Sequence, residues 1–298
     1  MKQDYHQLLQ PEIINSISGL SLIAKVIVEG HFTGLNQSRR VGQGLQFSQY
    51  RAYQPGDDMR LMDWKMLARS GRYYIKQSEI DTHITVKFIL DASKSMAHKE
   101  KEISKMDHAR VLIASLAYLA EQQGDAVGLF AINDQKLHSL YPSGQKQHYK
   151  MFLHQLLQIE NEGKWPTDSH SFQKIHDSGQ KELIFFVTDL HEEGEELTAT
   201  IKQLKKATNE VVVVHIMGGK EMDFSYNGNI LFEDLESGKR VKVNAKMSRN
   251  LYLSLLNTRI DTVKNELLSH NIGYQLFRMD EPIGKALQIF IKTRSSIL

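Results

Sequence analysis

Ile89-Leu90-Asp91-Ala92-Ser93-Lys94-Ser95-Met96 decides how this chain folds. The apolar run over 84–91 has the length and β-branched or aromatic content of a strand buried on both faces. It stops on a carboxylate, and the next turn places two hydroxyls two and four residues further on. Asp91, Ser93 and Ser95 offer only hard oxygen donors. Such donors suit Mg²⁺ or Mn²⁺ and suit softer metals poorly. A simpler use of the same residues is a strand end followed by a serine cap on a short helix. The surrounding pattern separates the two readings.

Outward from this loop, short apolar segments recur at 126–133, 183–189, 211–217 and 273–279. Between them lie helical patterns at 106–123, 149–159, 195–207, 248–270 and 282–294. In the first, Ala109, Leu112, Ile113, Leu116, Ala117 and Ala120 follow a 3.6-residue period. Strand and helix alternating from about residue 82 predict an open, mostly parallel α/β sheet covered on both faces, a Rossmann-like arrangement. Segments 126–133 and 136–141 are joined by a tight polar step, which predicts one antiparallel strand at an edge. Residues 227–245 interrupt the alternation and read as an exposed hairpin turning at Glu236-Ser237-Gly238.

In an open parallel sheet, ligands sit beyond the carboxyl ends of the strands. Asp91 ends one buried strand. Asp189 ends another, in Leu183-Ile-Phe-Phe-Val-Thr-Asp-Leu190. The Asp-x-Ser-x-Ser loop and the Thr-Asp strand end resemble the metal-ion-dependent adhesion site (MIDAS) of von Willebrand factor A-like domains. That resemblance implies a metal set of Asp91, Ser93, Ser95, Asp189 and a loop threonine. Thr167, in Trp165-Pro-Thr-Asp-Ser169, fits the threonine by order, with Ser169 and Ser171 as alternatives in the same stretch. Lys94 puts an ammonium close to this loop, and with His191 it would stand at the rim of a partner-binding face.

The N-terminal third extends the resemblance. Gly42-Gln-Gly-Leu-Gln-Phe47, Arg51-Ala-Tyr-Gln-Pro-Gly-Asp-Asp-Met-Arg60 and Met62-Asp-Trp-Lys-Met-Leu-Ala-Arg69 precede the metal-type loop in that order. Glu233-Asp-Leu-Glu-Ser-Gly238 follows it. Together they are similar to the domain of unknown function 58 family, which is associated with MoxR-type AAA+ ATPases and carries a von Willebrand factor A-like core. What the resemblance implies is a non-enzymatic, metal-dependent adaptor. It would work with a MoxR-type ATPase on an unidentified client, and the partner would complete the coordination of the ion. The expected organisation is an N-terminal extension over 1–81, with a helix and irregular loops, packed on a core over 82–298.

Composition bounds the alternatives. The chain has 298 residues, 41% hydrophobic and 24% charged, with a formal net charge of +2. That charge is too small to argue for nucleic acid or an anionic membrane. There are no cysteines, which excludes disulfides, thiolate metal sites and a cysteine nucleophile. No run approaches the roughly 20 apolar residues that span a bilayer, and the first residues do not resemble a signal peptide. The expectation is a soluble, cytoplasmic protein. Phosphate loops, dinucleotide fingerprints, zinc-protease motifs and nucleophile elbows are missing from the sequence.

Two rival functions remain. A Mg²⁺-dependent phosphoryl-transfer hydrolase would use Asp91 as nucleophile, but residue 93 is serine where a second carboxylate is wanted. A single-strand nucleic-acid binder would use the basic segment 39–76. There Arg39, Arg40, Arg51, Arg60, Lys65, Arg69, Arg72 and Lys76 interleave with Phe47, Tyr50, Tyr53, Trp64, Tyr73 and Tyr74. Arg39 and Arg40 are also candidate partner contacts. Trp64 is expected to be buried, and Asp57, Asp58 and Asp63 to pair with nearby arginines.

Overall fold

A computed structural model describes residues 8–35, 49–54, 59, 62, 64–77, 83–145, 147–166, 181–192 and 194–297. The chain divides into two compact units, Met1–Ser38 with Ile84–Leu298, and Arg39–His83.

In the larger unit, α1 (Pro11–Ile14) leads into α2 (Ile17–Leu35). Leu20, Ile23, Ala24, Ile27 and Val28 recur at helical spacing along α2, and all are buried in the main core. The first long helix is therefore part of the α/β unit. In the smaller unit, β1 (Gln49–Ala52), α3 (Trp64–Ser70) and β2 (Tyr74–Gln77) follow in order. β1 and β2 pair antiparallel, Gln49 opposite Gln77 and Ala52 opposite Tyr74. Met62 is buried, but Trp64 is 59% exposed, against the expectation of burial. It is the first residue of a seven-residue helix, too short to present a full apolar face. Asp57, Asp58 and Asp63, with the pairings expected of them, lie outside the described residues.

β3 (Thr85–Asp91) begins the sheet. A 3₁₀ turn, Lys94–Ala97, and two short strands, β4 (Lys99–Glu100) and β5 (Ile103–Ser104), lead to α4 (Lys105–Gln122). Next come β6 (Ala126–Ile132), β7 (Leu137–Ser143), α5 (His148–Leu157), β8 (Glu182–Thr188), α6 (Glu196–Leu204) and β9 (Asn209–Met217). The chain ends with α7 (Gly219–Asp223), β10 (Asn229–Glu233), β11 (Arg240–Asn244), α8 (Ala245–Ser269), β12 (Gly273–Arg278) and α9 (Gly284–Ile297). The six-stranded sheet has the order β12-β9-β8-β3-β6-β7. Every pair in it is parallel except β6 with β7. This is the open α/β sheet with one antiparallel edge strand that the sequence predicts. β10 and β11 form the predicted hairpin, with Ile230 opposite Val243.

Side chains alternate across β3. Val86, Phe88 and Leu90 enter the core shared with α2, α4, α5 and α9. Ile89 enters the opposite core, with Phe186 of β8, Leu197 and Ile201 of α6 and Leu267 of α8. The chain leaves β3 through α4 on the first face and leaves β8 through α6 on the second. The topology therefore switches between β3 and β8, which opens a crevice at their carboxyl ends. Asp91 and Asp189 stand at that crevice.

Candidate metal-type site at the sheet switch point

Asp91 is fully buried at the end of β3. Its Oδ1 accepts from the backbone N–H of Ser93 at 3.0 Å, and its Oδ2 accepts from the Thr188 hydroxyl at 2.7 Å. The Ser93 and Ser95 hydroxyls are 2.9 Å apart, and Ser95 donates to Asp189 Oδ1 at 3.0 Å. Asp91, Ser93, Ser95 and Asp189 thus form one bonded cluster across two adjacent strand ends. The loop before Thr167 is tied to the same turn. Glu162 N donates to Ala92 O at 3.1 Å, Asn161 Nδ2 to Ser93 O at 3.0 Å, and Lys94 N to Gly163 O at 3.1 Å. Thr167, Arg39 and Arg40 lie outside the described residues.

The backbone after Asp189 is strained to make this geometry. Leu190 takes φ +52°, a region that non-glycine residues rarely occupy. Its N–H donates to the Thr188 hydroxyl at 2.9 Å, so Thr188 braces both strand ends. His215 on β9 donates from Nε2 to the Asp189 carbonyl at 3.0 Å, which fixes its tautomer. Its Nδ1 accepts from the Tyr274 hydroxyl at 2.7 Å. Burial pushes this imidazole down to about 4, so it is neutral and already engaged at both nitrogens.

A lysine that the sequence pattern does not single out enters the cluster. Lys105 opens α4, and its ammonium contacts Asp189 Oδ2 at 2.9 Å and Glu221 Oε1 at 3.0 Å. Burial alone would lower its pKa, but the Asp189 and Glu221 carboxylates hold it above the ordinary lysine range. Burial would likewise raise the Asp189 carboxyl, yet Lys105 and the Ser95 hydroxyl hold it below the usual range. Among the described residues no cation is bonded to Asp91. Burial, with repulsion from Asp189, pushes it up to about 7. Lys94 is exposed, so the ammonium bonded into the cluster is that of Lys105.

The hairpin also takes part. His191 donates its N–H to Asp189 Oδ1 at 3.3 Å, and its Nε2 lies 3.3 Å from Asp234 Oδ2 at the hairpin turn. Glu236 is half-buried in that turn, and burial pushes its carboxyl above the ordinary range, against the His191 charge and the Ser95 hydroxyl. The residues suit a hard cation: two carboxylates and two hydroxyls bonded to one another at adjacent strand ends. No group of three or more His, Cys, Asp or Glu placed to hold a metal occurs among the described residues.

The pattern described as Protein of unknown function DUF58 matches residues 49–257. The chain belongs to the DUF58 family. Two uncharacterized relatives of this DUF58 chain, from Mycobacterium bovis and Mycobacterium tuberculosis, are each 26% identical over 143 residues. The match covers 48% of this chain and 45% of each relative, so the DUF58 chain spans less than half of the length of the curated relatives it matches. Among solved structures it is similar to the conserved hypothetical protein BatB from Bacteroides thetaiotaomicron. The identity is 16% over 72% of this chain and 98% of that one, with a TM-score of 0.43. It is also similar to an aerotolerance-related membrane protein from Bacteroides fragilis, at 17%, 72%, 99% and 0.44 in the same order. The SpRpn10 VWA domain gives 12%, 70%, 95% and 0.41. No helix among the described residues is long and apolar enough to cross a membrane.

Proposed function

We propose that this DUF58 chain is a metal-dependent protein-binding adaptor without catalytic activity of its own. The observation that carries the reading is the bonded cluster of Asp91, Ser93, Ser95 and Asp189 at the switch point. Mg²⁺ or Mn²⁺ would be held by Asp91, Ser93 and Ser95, with Asp189 and Thr167 completing the oxygen set. When bound, the ion supplies a Lewis-acidic position for a partner's Asp or Glu. Lys94 and His191 border that position. The family resemblance makes a MoxR-type AAA+ ATPase the partner to test first, acting on a client in assembly, folding or activation.

The hydrolase alternative needs a base beside the nucleophile. His215, bonded to the Asp189 carbonyl, is engaged at both ring nitrogens, and Lys105 is held as an ammonium by two carboxylates. These engagements support binding over chemistry. Calorimetry with Mg²⁺ tests the site directly. The native chain is expected to bind weakly, since few charged ligands face an ion that dehydrates reluctantly. Asp91→Ala is expected to abolish the heat, and equal binding by both chains would refute the assignment. Affinity capture with and without EDTA then tests the partner, whose binding is expected to need metal and Asp91 together.

A further inference from the structure

Helix α8 runs for 25 residues, and only Ala245 and Leu267 on it are buried. Its most exposed apolar side chains are Met247 at 83%, Leu251 at 65% and Leu255 at 62%. They are spaced four residues apart, so they form one ridge along the helix, and that ridge marks its outward pole. At about 100° per residue, the positions within about 60° of Leu251 from 244 to 265 hold these three residues and otherwise only serine, threonine and asparagine. None is charged. The outward pole of a solvated helix ordinarily carries the charges. In α8 Lys246, Arg249, Arg259, Asp261 and Lys264 all fall outside it.

The polar groups on this pole are largely satisfied within the chain. Thr258 donates its hydroxyl to Ser254 O at 2.9 Å, and Thr262 to Thr258 O at 2.8 Å. Asn244 accepts from Met247 N at 3.2 Å and donates to Asn229 Oδ1 at 2.9 Å. Removing water from the pole therefore strands few donors or acceptors. The charges around it say which partner fits. Five cations lie between 239 and 249, and no carboxylate occurs from 239 to 260. Asp261 and Glu266 lie towards the other end of α8. Two copies of this helix running the same way would bring their basic ends together. Running in opposite directions, each basic end approaches the carboxylates of the other copy. The size also fits. The stretch from 244 to 265 is about 33 Å long and about 10 Å across. Two such faces would bury several hundred Å² each, the low end of specific interfaces.

We propose that the outward pole of α8 is a self-association surface, on which two copies of this chain pack their Met247, Leu251 and Leu255 ridges antiparallel about a two-fold axis near Leu251. The inference is independent of the metal site, and EDTA should leave the pairing unchanged. Sedimentation equilibrium on the full chain is the first measurement. The native chain is expected to dimerise with a dissociation constant in the micromolar range, as suits an interface of this size. Leu251→Asp should be monomeric, since each copy would carry a carboxylate onto the two-fold axis. Asn257→Asp adds the same charge away from the pole and should dimerise like the native chain. Both positions are exposed, and thermal melts establish that each variant is folded. The chain has no cysteine, so a single introduced one reports a single position. Leu251→Cys should form a disulfide-linked dimer on oxidation with diamide, because a two-fold axis at that residue brings the two sulfurs within bonding reach. Asn257→Cys should not. A native chain that stays monomeric, a Leu251→Asp chain that dimerises as the native one does, or cross-linking no faster at residue 251 than at 257 would each overturn the proposal. A monomeric native chain that binds a MoxR-type ATPase or phosphatidylglycerol vesicles, with that binding lost in Leu251→Asp, would assign the ridge to that partner and equally refute self-pairing.

Discussion

Lys105 occupies the first position of α4, where the positive end of the helix disfavours a cation. It is held there because Asp189, just past the end of β8, and Glu221, in α7, reach it from 84 and 116 residues away. In the proposed metal site its ammonium would compete with the ion for the Asp189 carboxylate. Lys105→Met is expected to raise Mg²⁺ affinity about tenfold, by restoring ligand charge. The same change removes one partner of a buried ion pair and should cost about 3–5 kcal/mol of stability in metal-free buffer. Calorimetry and denaturant unfolding on one preparation measure the two effects, and unchanged Mg²⁺ affinity would show that Lys105 does not compete. Asp91, Ser93, Ser95 and Asp189 were legible in the sequence because each sits at a fixed offset from the end of an apolar strand. Lys105 was not, since its pairing with Asp189 and Glu221 is set by how distant segments meet. The sequence did carry a hint for the lysine: Ser104-Lys-Met-Asp107 is a capping box with a cation at the unfavourable end of a helix.

At the scale of elements, α2 shows where local pattern stops being informative. Its apolar stripe predicts a helix and even its buried face, but a stripe does not name the surface it covers. It lies on α4 in the main core. The clue lay in α4 itself. Val111, Ala114 and Ser115 are buried along with the predicted stripe, and a helix buried on most of its circumference must be covered from more than one side. The strands and the hairpin were read correctly because strand length, β-branching and turn residues act locally. Docking of α2 has a direct test. Ile23→Ala should cost about 2–5 kcal/mol in urea unfolding, the range for a fully buried aliphatic side chain. Lys25→Ala, on the exposed face in a loose 3.8 Å pair with Glu29, should change stability by about 0.5 kcal/mol or less. Equal effects of the two changes would show that the helix contributes nothing to the core.

For the whole molecule, acid sensitivity follows from buried groups that meet a proton differently in the native and unfolded states. His108 is 4% exposed in α4, and its Nε2 has no hydrogen-bond partner. Burial pushes its pKa down to about 4, although the Asp280 carboxylate pulls the other way. The unfolded histidine titrates near 6.5, so below that pH the unfolded chain gains a proton the native chain refuses. The stabilisation is fully present above pH 6.5 and is lost as pH falls through 4. His215 acts with the same sign. Asp91 acts with the opposite sign, because a carboxyl raised to about 7 favours the native state at low pH and penalises it as pH rises. Total stability against pH therefore mixes opposing contributions, and a difference measurement isolates one of them. Lowering pH from 7 to 5 in EDTA should cost the native chain about 2 kcal/mol more than it costs His108→Gln, at 1.36 kcal/mol per pH unit below 6.5. The contributions of Asp91 and His215 cancel in that comparison, since both chains carry them. Parallel stability curves for the two chains between pH 7 and 5 would mean that His108 takes up its proton in the folded state as readily as in the unfolded one.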